Sequence, residues 1–171
     1  MPRQSVVHTL PEHIVSLRRF ALALTRNRDD AEDLVQETLA RAIAAVDSFQ
    51  PGTDLRVWLF RIMSNTHVST LRKRQVRDAA RASLPDPVIE ATQSMHVEIR
   101  QLLAALDELP DPQRQAIILM ALEDMKYKDA AQVLDVPLGT FMSRIARGRE
   151  ALRRAMEGVK SVRLRIVGGI I

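Results

Sequence analysis

Cysteine is absent from this sequence of 171 residues, and its absence removes several chemistries at once. Disulfide bonds, thiolate nucleophiles and cysteine-ligated zinc sites are excluded, and such a chain suits a reducing compartment. The four histidines are scattered and form no metal site or nucleophile constellation: His8, His13, His67 and His96. We therefore predict that the chain is not an enzyme and carries no cofactor and no metal.

Glycine and aromatic residues are also scarce, at 6 residues and 4% of the chain. The alanine, leucine, arginine and acidic residues that are abundant instead favour helices over pleated strands. No apolar run approaches the roughly 20 residues that span a bilayer, and the amino-terminal residues MPRQSVVHTLPEH lack the apolar core of a signal peptide. The predicted fold class is all-α, and the expected location is cytoplasmic.

Basic residues are concentrated at the carboxyl end of the chain. From Leu138 to Ile171 there are eight basic and two acidic side chains, a net charge of +6, whereas the rest has 17 basic and 19 acidic side chains, a net charge of −2. A basic segment of this kind predicts a polyanionic partner that docks at that end.

Apolar residues recur at helical spacing in two blocks. The first block predicts helices from Pro11 to Leu24, from Asp29 or Asp30 onward, and from about Leu55 to Arg74. The stretch from Gln75 to Met95 lacks the pattern and contains two prolines, which disfavour helix before them. The predicted organisation is two small helical domains joined by a flexible linker, with the divisions 8–75, 76–96 (linker), 97–157 and 158–171 (tail).

A short helix, a turn and a longer helix are predicted in the second block. The short helix Lys128–Leu134 contains the small pair Ala130-Ala131, a turn follows at 135–137, and the longer helix spans Thr140–Met156. Small residues let two helices cross closely, and this order is that of a helix-turn-helix, whose second helix enters the major groove of DNA.

The longer helix has one predicted buried face and one predicted exposed face. Apolar residues and a glycine recur at spacings of three and four along the buried face: Phe141, Ile145, Gly148, Leu152 and Met156. The exposed face then presents Ser143, Arg144 and Arg147, and arginine can bond two acceptors of guanine. The alternative is a helical hairpin whose arginines are merely solvated.

Three segments of the sequence carry a family resemblance. The segment from Leu106 to Met156, with LPDPQR, YKDAAQVL and GTFMSRIARGREAL, resembles region 4 of the extracytoplasmic-function (ECF) group of bacterial sigma-70 factors. LRRFALALTRNRDDAEDLVQETLARA, from Leu17, and DLRVWLFRIMSNTHVSTLRKR, from Asp54, resemble region 2 of the same group. The resemblance covers about four-fifths of the chain and includes both regions in the expected order.

The resemblance implies an RNA polymerase sigma factor that directs core polymerase to promoters and helps to open them, for example in a stress response. Region 2 would bind the polymerase clamp helices and unpaired −10 bases, and region 4 would bind the polymerase flap and the −35 duplex. The expected −35 residues are Thr140, Ser143, Arg144, Arg147 and Arg149. The expected −10 residues are Phe49, Asp54, Arg56, Arg61, Asn65, Arg72, Lys73 and Arg74. The expected polymerase contacts are Asp33, Gln36, Glu37 and Arg41.

Several of these expectations have simpler alternatives. The loop from Phe49 to Asp54 resembles the family's base-accepting loop, but it could be only a connector with Phe49 in the core. Trp58 is expected in the core rather than as a base platform, and the acidic face at Asp33 could simply be solvated. Four positions depart from the family pattern: Ser64 and Met142 stand where a basic residue is often found, Ser69 where an aspartate is common and Lys126 where a capping serine is frequent. These departures leave the promoter sequence open.

The resemblance also implies an anti-sigma factor as a partner, which could wedge between the domains. Two other function classes remain: a sigma mimic that sequesters an anti-sigma factor without touching DNA, and a stand-alone helix-turn-helix regulator. The basic recognition helix counts against mimicry, and binding to core polymerase would separate a sigma factor from a stand-alone regulator. The apolar tail VRLRIVGGII could dock on this chain or on a partner, or form a disordered end.

Overall fold

The computed structural model describes residues 3–78 and 97–167, and these residues contain helices and no strand. The helices follow the order α1 Arg3–Thr25, α2 Arg28–Ala44, a short 3-10 helix Val46–Ser48, α3 Leu55–Asp78, α4 Val97–Asp107, α5 Asp111–Glu123, α6 Tyr127–Val133 and α7 Leu138–Val167. The predicted all-α class is confirmed. Most of the predicted linker, residues 79–96, and the last four residues of the predicted tail lie outside the described residues.

Helix α1 begins earlier than predicted, at Arg3 rather than Pro11, and Pro11 lies inside it. A proline inside a helix removes one backbone donor and normally favours a break. Here Val6 and Leu10, which precede the proline, are both buried and extend the apolar face of the helix. Burial of that first segment therefore outweighs the local cost of Pro11.

Side-chain caps fix the amino-terminal ends of α2 and α3. Asn27, not Asp29 or Asp30, caps α2: its side-chain oxygen accepts hydrogen bonds from the backbone N–H groups of both aspartates, at 2.8 and 3.1 Å. At α3, Asp54 Oδ1 accepts from the backbone N–H of Arg56 at 2.8 Å. The predicted aspartate cap of α2 is wrong because the preceding asparagine supplies the oxygen.

Helices α1, α2 and α3 pack together around fully buried apolar side chains. Phe20 of α1 and Phe60 of α3 form the centre, with ring centroids 5.1 Å apart. Thr38 is also buried in α2, where its hydroxyl donates to the Leu34 carbonyl at 2.7 Å. This bundle holds the loop between α2 and α3 at one end.

Helices α4, α5 and α6 pack against α7 in the second half of the chain. Phe141 of α7 is fully buried and meets the Tyr127 ring edge-on, with centroids 5.7 Å apart. Gly148 of α7 lies against α5 so closely that an added Cβ would stand 3.0 Å from Ile117 Cγ1. The helix continues through Gly158 to Val167, so part of the predicted tail is helical.

The two halves pack against each other rather than standing apart. Helix α1 contacts α5, and α3 contacts α6. Buried side chains of both halves form one continuous apolar cluster, and Arg26 of the first half pairs with Asp107 of the second at 2.8 Å. Of the helices described, none is both long and apolar enough to cross a membrane.

Candidate nucleic-acid interface

The turn between α6 and α7 has the geometry of a helix-turn-helix. Ala130 and Ala131 are buried at the crossing, as the small pair predicted. The chain reverses at Asp135, whose φ of 51° is left-handed, and the Val136 N–H donates to the Ala131 carbonyl at 3.1 Å. Pro137 then precedes α7 and accepts the first helical hydrogen bond, from Phe141 N–H at 3.0 Å.

Helix α7 turns its predicted buried face inward. Phe141, Ile145 and Gly148 are buried, whereas Leu152 and Met156 are half-buried. The predicted DNA-reading residues Thr140, Ser143, Arg147 and Arg149 are exposed, and Arg144 is half-buried on the flank. The Ser143 hydroxyl donates to the Thr140 carbonyl at 2.8 Å, which holds it close to the backbone.

The arginines of α7 fall into two groups. Farther along the helix, Glu150 accepts hydrogen bonds from Arg153 and Arg154 at 2.7 to 2.9 Å. These bonds, with the charges of both guanidinium groups, lower the pKa of Glu150 to about 2. Among the described side chains, no ion pair involves Arg144, Arg147 or Arg149. The free cations therefore lie toward the start of the helix, the part that enters the groove in this motif.

An apolar edge beside these cations was not predicted. Leu138 and Met142 lie one turn apart at the start of α7 and are 44% and 50% exposed. Large apolar side chains exposed at the start of a helix-turn-helix second helix are able to contact thymine methyl groups, which line the major groove. The spacing of four residues between Leu138 and Met142 is the feature of the sequence that could have predicted this apolar edge.

The loop between α2 and α3 places Phe49 half-buried against Trp58, with ring centroids 5.3 Å apart at a steep angle. Trp58 is also half-buried, so neither ring belongs wholly to the core or to the surface. Gly52 has a φ of 89°, which glycine adopts without strain. The loop is therefore a tight polar turn backed by two aromatic rings.

The remaining predicted −10 residues have different surroundings. Arg61, Asn65, Arg72 and Lys73 are exposed along α3, and the side chain of Arg74 lies outside the described residues. Arg56 instead pairs with Glu123 of α5 at 2.5 Å and lies 5.8 Å from the Phe60 ring centroid. The structure thus brings together the loop and the exposed side of α3, while Arg56 faces the other half of the chain.

The predicted polymerase contacts lie together on the exposed side of α2. Asp33, Gln36, Glu37 and Arg41 are exposed, and Arg41 donates to Glu37 at 2.6 Å. The first three line a groove of about 600 Å³ that also reaches α3 and α5. Arg114 of α5 lines the same groove, 7% exposed, with its Nε lacking an acceptor within the described residues. The rim of the groove is acidic, and among the described residues the buried Arg114 keeps one free donor, Nε, while its Nη2 donates to Asp111 at 2.6 Å.

The described residues contain no group of three or more metal-ligating side chains. Charged and hydrogen-bonding side chains lie exposed on two helical surfaces, one on α7 and one on α2. These surfaces are suited to binding partners of defined charge.

Both halves match known protein families. Residues 10–64 match a family described as the Sigma2 domain of PhyR, and residues 99–152 match Sigma-70, region 4. With the helix-turn-helix and its exposed cations, these matches define the class of protein as a sigma-70-type transcription initiation factor.

Similar proteins with known names place the chain in one group within this class. The chain is 45% identical over 141 residues to the ECF RNA polymerase sigma factor EcfG of Rhodopseudomonas palustris, covering 81% of this chain and 78% of that protein. It is 31% identical to the ECF sigma factor SigM of Bacillus subtilis over 79% of this chain and 85% of that one. The protein therefore belongs to the ECF group of RNA polymerase sigma factors.

Solved structures agree with this assignment. The sigma factor RpoE of Bartonella quintana, solved in complex with the anti-sigma factor NepR, aligns with a TM-score of 0.75 and 36% identity, covering 88% of this chain and 95% of that chain. CnrH, solved with the cytosolic domain of CnrY, aligns with a TM-score of 0.67 and 28% identity, covering 91% and 89%. The fold is that of ECF sigma factor domains.

Proposed function

We propose that this sigma factor reads promoters through two surfaces while it is bound to core RNA polymerase. Residues 8–75 act as region 2 and residues 97–157 as region 4, with 76–96 as the linker between them. The observation that carries the proposal is the exposed start of α7, where Ser143 and Arg147 stand one turn apart with no acidic partner in the described structure.

At the −35 element, α7 lies in the major groove with Arg147 toward a guanine edge. Ser143 reads a neighbouring base edge, and Thr140, Arg144 and Arg149 contact phosphates or flanking bases. Met142 adds an apolar contact beside them, where many relatives would be expected to have a cation. The lower charge raises the share of the affinity that comes from base reading.

At the −10 element, the loop from Phe49 to Asp54 receives an unpaired base. Phe49 and Trp58 offer aromatic surface for stacking, which contributes about 1 to 3 kcal/mol per base. The exposed side chains of α3 guide the strand beyond the loop: Arg61, Asn65, Arg72, Lys73 and Arg74. Arg56 joins them only when it is released from Glu123.

Core polymerase binds the face of α2 that carries Asp33, Gln36, Glu37 and Arg41. An acidic rim complements a partly basic helical partner and raises the rate of encounter. The chain itself performs no catalysis, because polymerase supplies the phosphodiester chemistry, and we place the protein in the cytoplasm with that enzyme.

An anti-sigma factor is the expected regulator, as in the complex solved for the Bartonella relative. The groove beside α2 suits it, because a segment seated there would cover Asp33 and Glu37 and could supply an acceptor to Arg114. Bound in that groove, an anti-sigma factor would compete directly with core polymerase.

Run-off transcription from a promoter library tests the proposal. Core polymerase with this chain should transcribe a defined subset of the library that core polymerase alone does not transcribe. A chain that binds core polymerase but selects no promoter would instead behave as a sigma mimic. Selection of DNA without any binding to core polymerase would indicate a stand-alone regulator.

A further inference from the structure

An apolar row runs along the exposed side of α7. Leu138, Met142 and Ala146 follow one another at a spacing of four residues, and all three are exposed. Side chains four residues apart on a helix lie one above the other on the same face. Neither Leu138 nor Met142 belongs to the apolar cluster that the described side chains form. The row is therefore apolar surface that the described fold does not use in its own core.

The polar residues proposed to read the −35 element form the neighbouring row. Ser143 and Arg147 are also four residues apart and exposed, and each directly follows a member of the apolar row. An α-helix with its side chains is about 10 to 12 Å wide, which is close to the width of the major groove. A helix inserted there brings both rows against the base pairs. The apolar row is thus continuous with the proposed −35 surface.

The chemistry of the major groove decides which DNA group suits this row. Phosphates and most groups on the base edges need hydrogen bonds, which leucine and alanine cannot make and a thioether makes only weakly. The 5-methyl group of thymine is the apolar group that the groove offers. Methionine is unbranched and adapts to irregular surfaces, and half of Met142 is exposed and can still be buried. A thymine methyl group therefore matches the row, and a phosphate does not.

We propose that Met142 is a specificity-determining residue: its side chain packs against the 5-methyl group of a thymine in the −35 duplex. Leu138 and Ala146 complete the apolar contact on either side of it. Promoters selected by this chain then carry a thymine, in one strand or the other, beside the bases that Ser143 and Arg147 contact. This inference deepens the proposed −35 role of α7 and rests on it.

The test replaces thymine by uracil, which keeps every hydrogen-bonding group of the base and removes only the 5-methyl group. The probe is a double-stranded promoter fragment that core polymerase with the full-length chain selects from the library. Each thymine of its −35 element is replaced singly, in both strands, and holoenzyme binding is measured by competition. At one position uracil should weaken binding about fourfold, the effect of removing one buried carbon group from an apolar contact.

Met142→Gln has a side chain of similar length that is polar. It should bind the uracil and thymine fragments equally, because the apolar contact is lost. Leu103→Gln is the matched control: Leu103 lies on α4 in the same half of the chain and is 45% exposed, close to the 44% of Leu138. This control should keep the fourfold preference. Because each chain is scored by its own ratio of thymine to uracil affinity, changes in overall stability or in polymerase binding cancel.

Met142→Lys provides a second variant with a different readout. The added cation should form a phosphate contact, so the slope of log affinity against log salt concentration should steepen by about one. The thymine preference should disappear at the same time. A steeper slope with the full fourfold preference retained would show that another group contacts the methyl and would overturn the proposal.

Three further results would also overturn it: selected −35 elements without thymine, equal binding of every uracil fragment by the original chain, or an undiminished preference in Met142→Gln. Weaker binding of Met142→Gln to core polymerase without DNA, with no thymine preference in the original chain, would assign the row to a protein contact instead. A scrambled −35 element separates the two levels of the account. If scrambling has no effect on binding, the proposed −35 function itself fails; if it abolishes binding while uracil is tolerated, only the role of Met142 fails.

Discussion

Arg147 is the single side chain whose chemistry is most specific in the proposed −35 contact. It is exposed on α7 and, among the described side chains, has no ion pair, so its guanidinium can meet guanine O6 and N7 together. Arg153, on the same helix, is instead bonded to Glu150 and Glu157. The two arginines therefore form a matched pair for substitution.

Arg147→Ala should weaken holoenzyme binding to cognate −35 DNA by about 1 to 3 kcal/mol and relax the choice of base at one position. A promoter library scored base by base gives the measurement. Arg153→Ala should lower binding slightly and equally for all sequences. An identical base profile for Arg147→Ala and the original chain would remove Arg147 from base reading.

Glu150 is a carboxyl group of this helix whose pKa is strongly shifted. Hydrogen bonds from Arg153, and then from Arg154, lower its pKa from an ordinary 4.5 to about 2. Because the folded pKa is below the unfolded one, this interaction stabilises the helix at pH values above about 4.5 and is lost as the pH falls toward 2.

A carboxyl ¹³C NMR titration should therefore give Glu150 a midpoint near 2. Arg153→Gln and Arg154→Gln should each raise this midpoint toward the ordinary value, because the first removes two hydrogen bonds to the carboxylate and the second removes one. A normal midpoint in the unsubstituted chain would show that the two ion pairs do not persist in solution.

At the scale of elements, the close packing of α7 against α5 depends on one glycine, Gly148. A Cβ at Gly148 would stand 3.0 Å from Ile117 Cγ1 and 3.6 Å from Gln113 Cβ, so the Ile117 side chain must give way by a few tenths of an ångström to admit any larger residue. The orientation of α7, the helix proposed to read DNA, therefore depends on this close approach.

Gly148→Val should lower the free energy of unfolding by about 1 to 3 kcal/mol, the usual cost of overpacking. Gly139→Val is the matched control, because an added Cβ there meets nothing within 4 Å. Thermal unfolding followed by circular dichroism measures both variants. Equal stability of the two would mean that α5 and α7 do not pack this closely.

The exposed face of α2 is the element proposed to bind polymerase. Asp33 and Glu37 stand on the rim of a groove, and Glu37 forms a surface ion pair with Arg41, which contributes at most about 1 kcal/mol. Charge reversal on this face can therefore alter binding while leaving the fold intact.

The double variant Asp33→Lys and Glu37→Lys should weaken binding to core polymerase about tenfold or more, because cations then face a partly basic partner. Surface plasmon resonance on immobilised core polymerase gives the affinity, and circular dichroism checks the helical content. Glu12→Lys with Glu108→Lys reverses two exposed charges elsewhere. Equal affinities for both double variants would exclude this face from the interface.

At the scale of the whole molecule, local patterns predicted the helices well but not the contact between the halves. Apolar spacing located α3 and α7, and the small pair at Ala130 located the helix-turn-helix. The partners Arg19 and Glu123 are 104 residues apart, and nothing in the sequence around a single glutamate indicates that it will be buried.

The ends of helices were predicted less well, because tertiary burial decided them. Pro11 lies inside α1 since the residues before it reach the core, and α7 passes through Gly158 to Val167. The exposure of a site residue was predicted correctly where it depended only on which face of its own helix the residue occupies, as for Ser143 and Arg147. Arg56 differed because its partner comes from the other half.

The central claim, that this chain both selects and opens promoters through polymerase, is tested most directly by permanganate footprinting of a selected promoter. Unpaired thymines should become reactive around the −10 element only when core polymerase and this chain are both present. That reactivity should disappear when the −35 element is scrambled. Selected binding without any reactive thymine, or reactivity with core polymerase alone, would contradict the account.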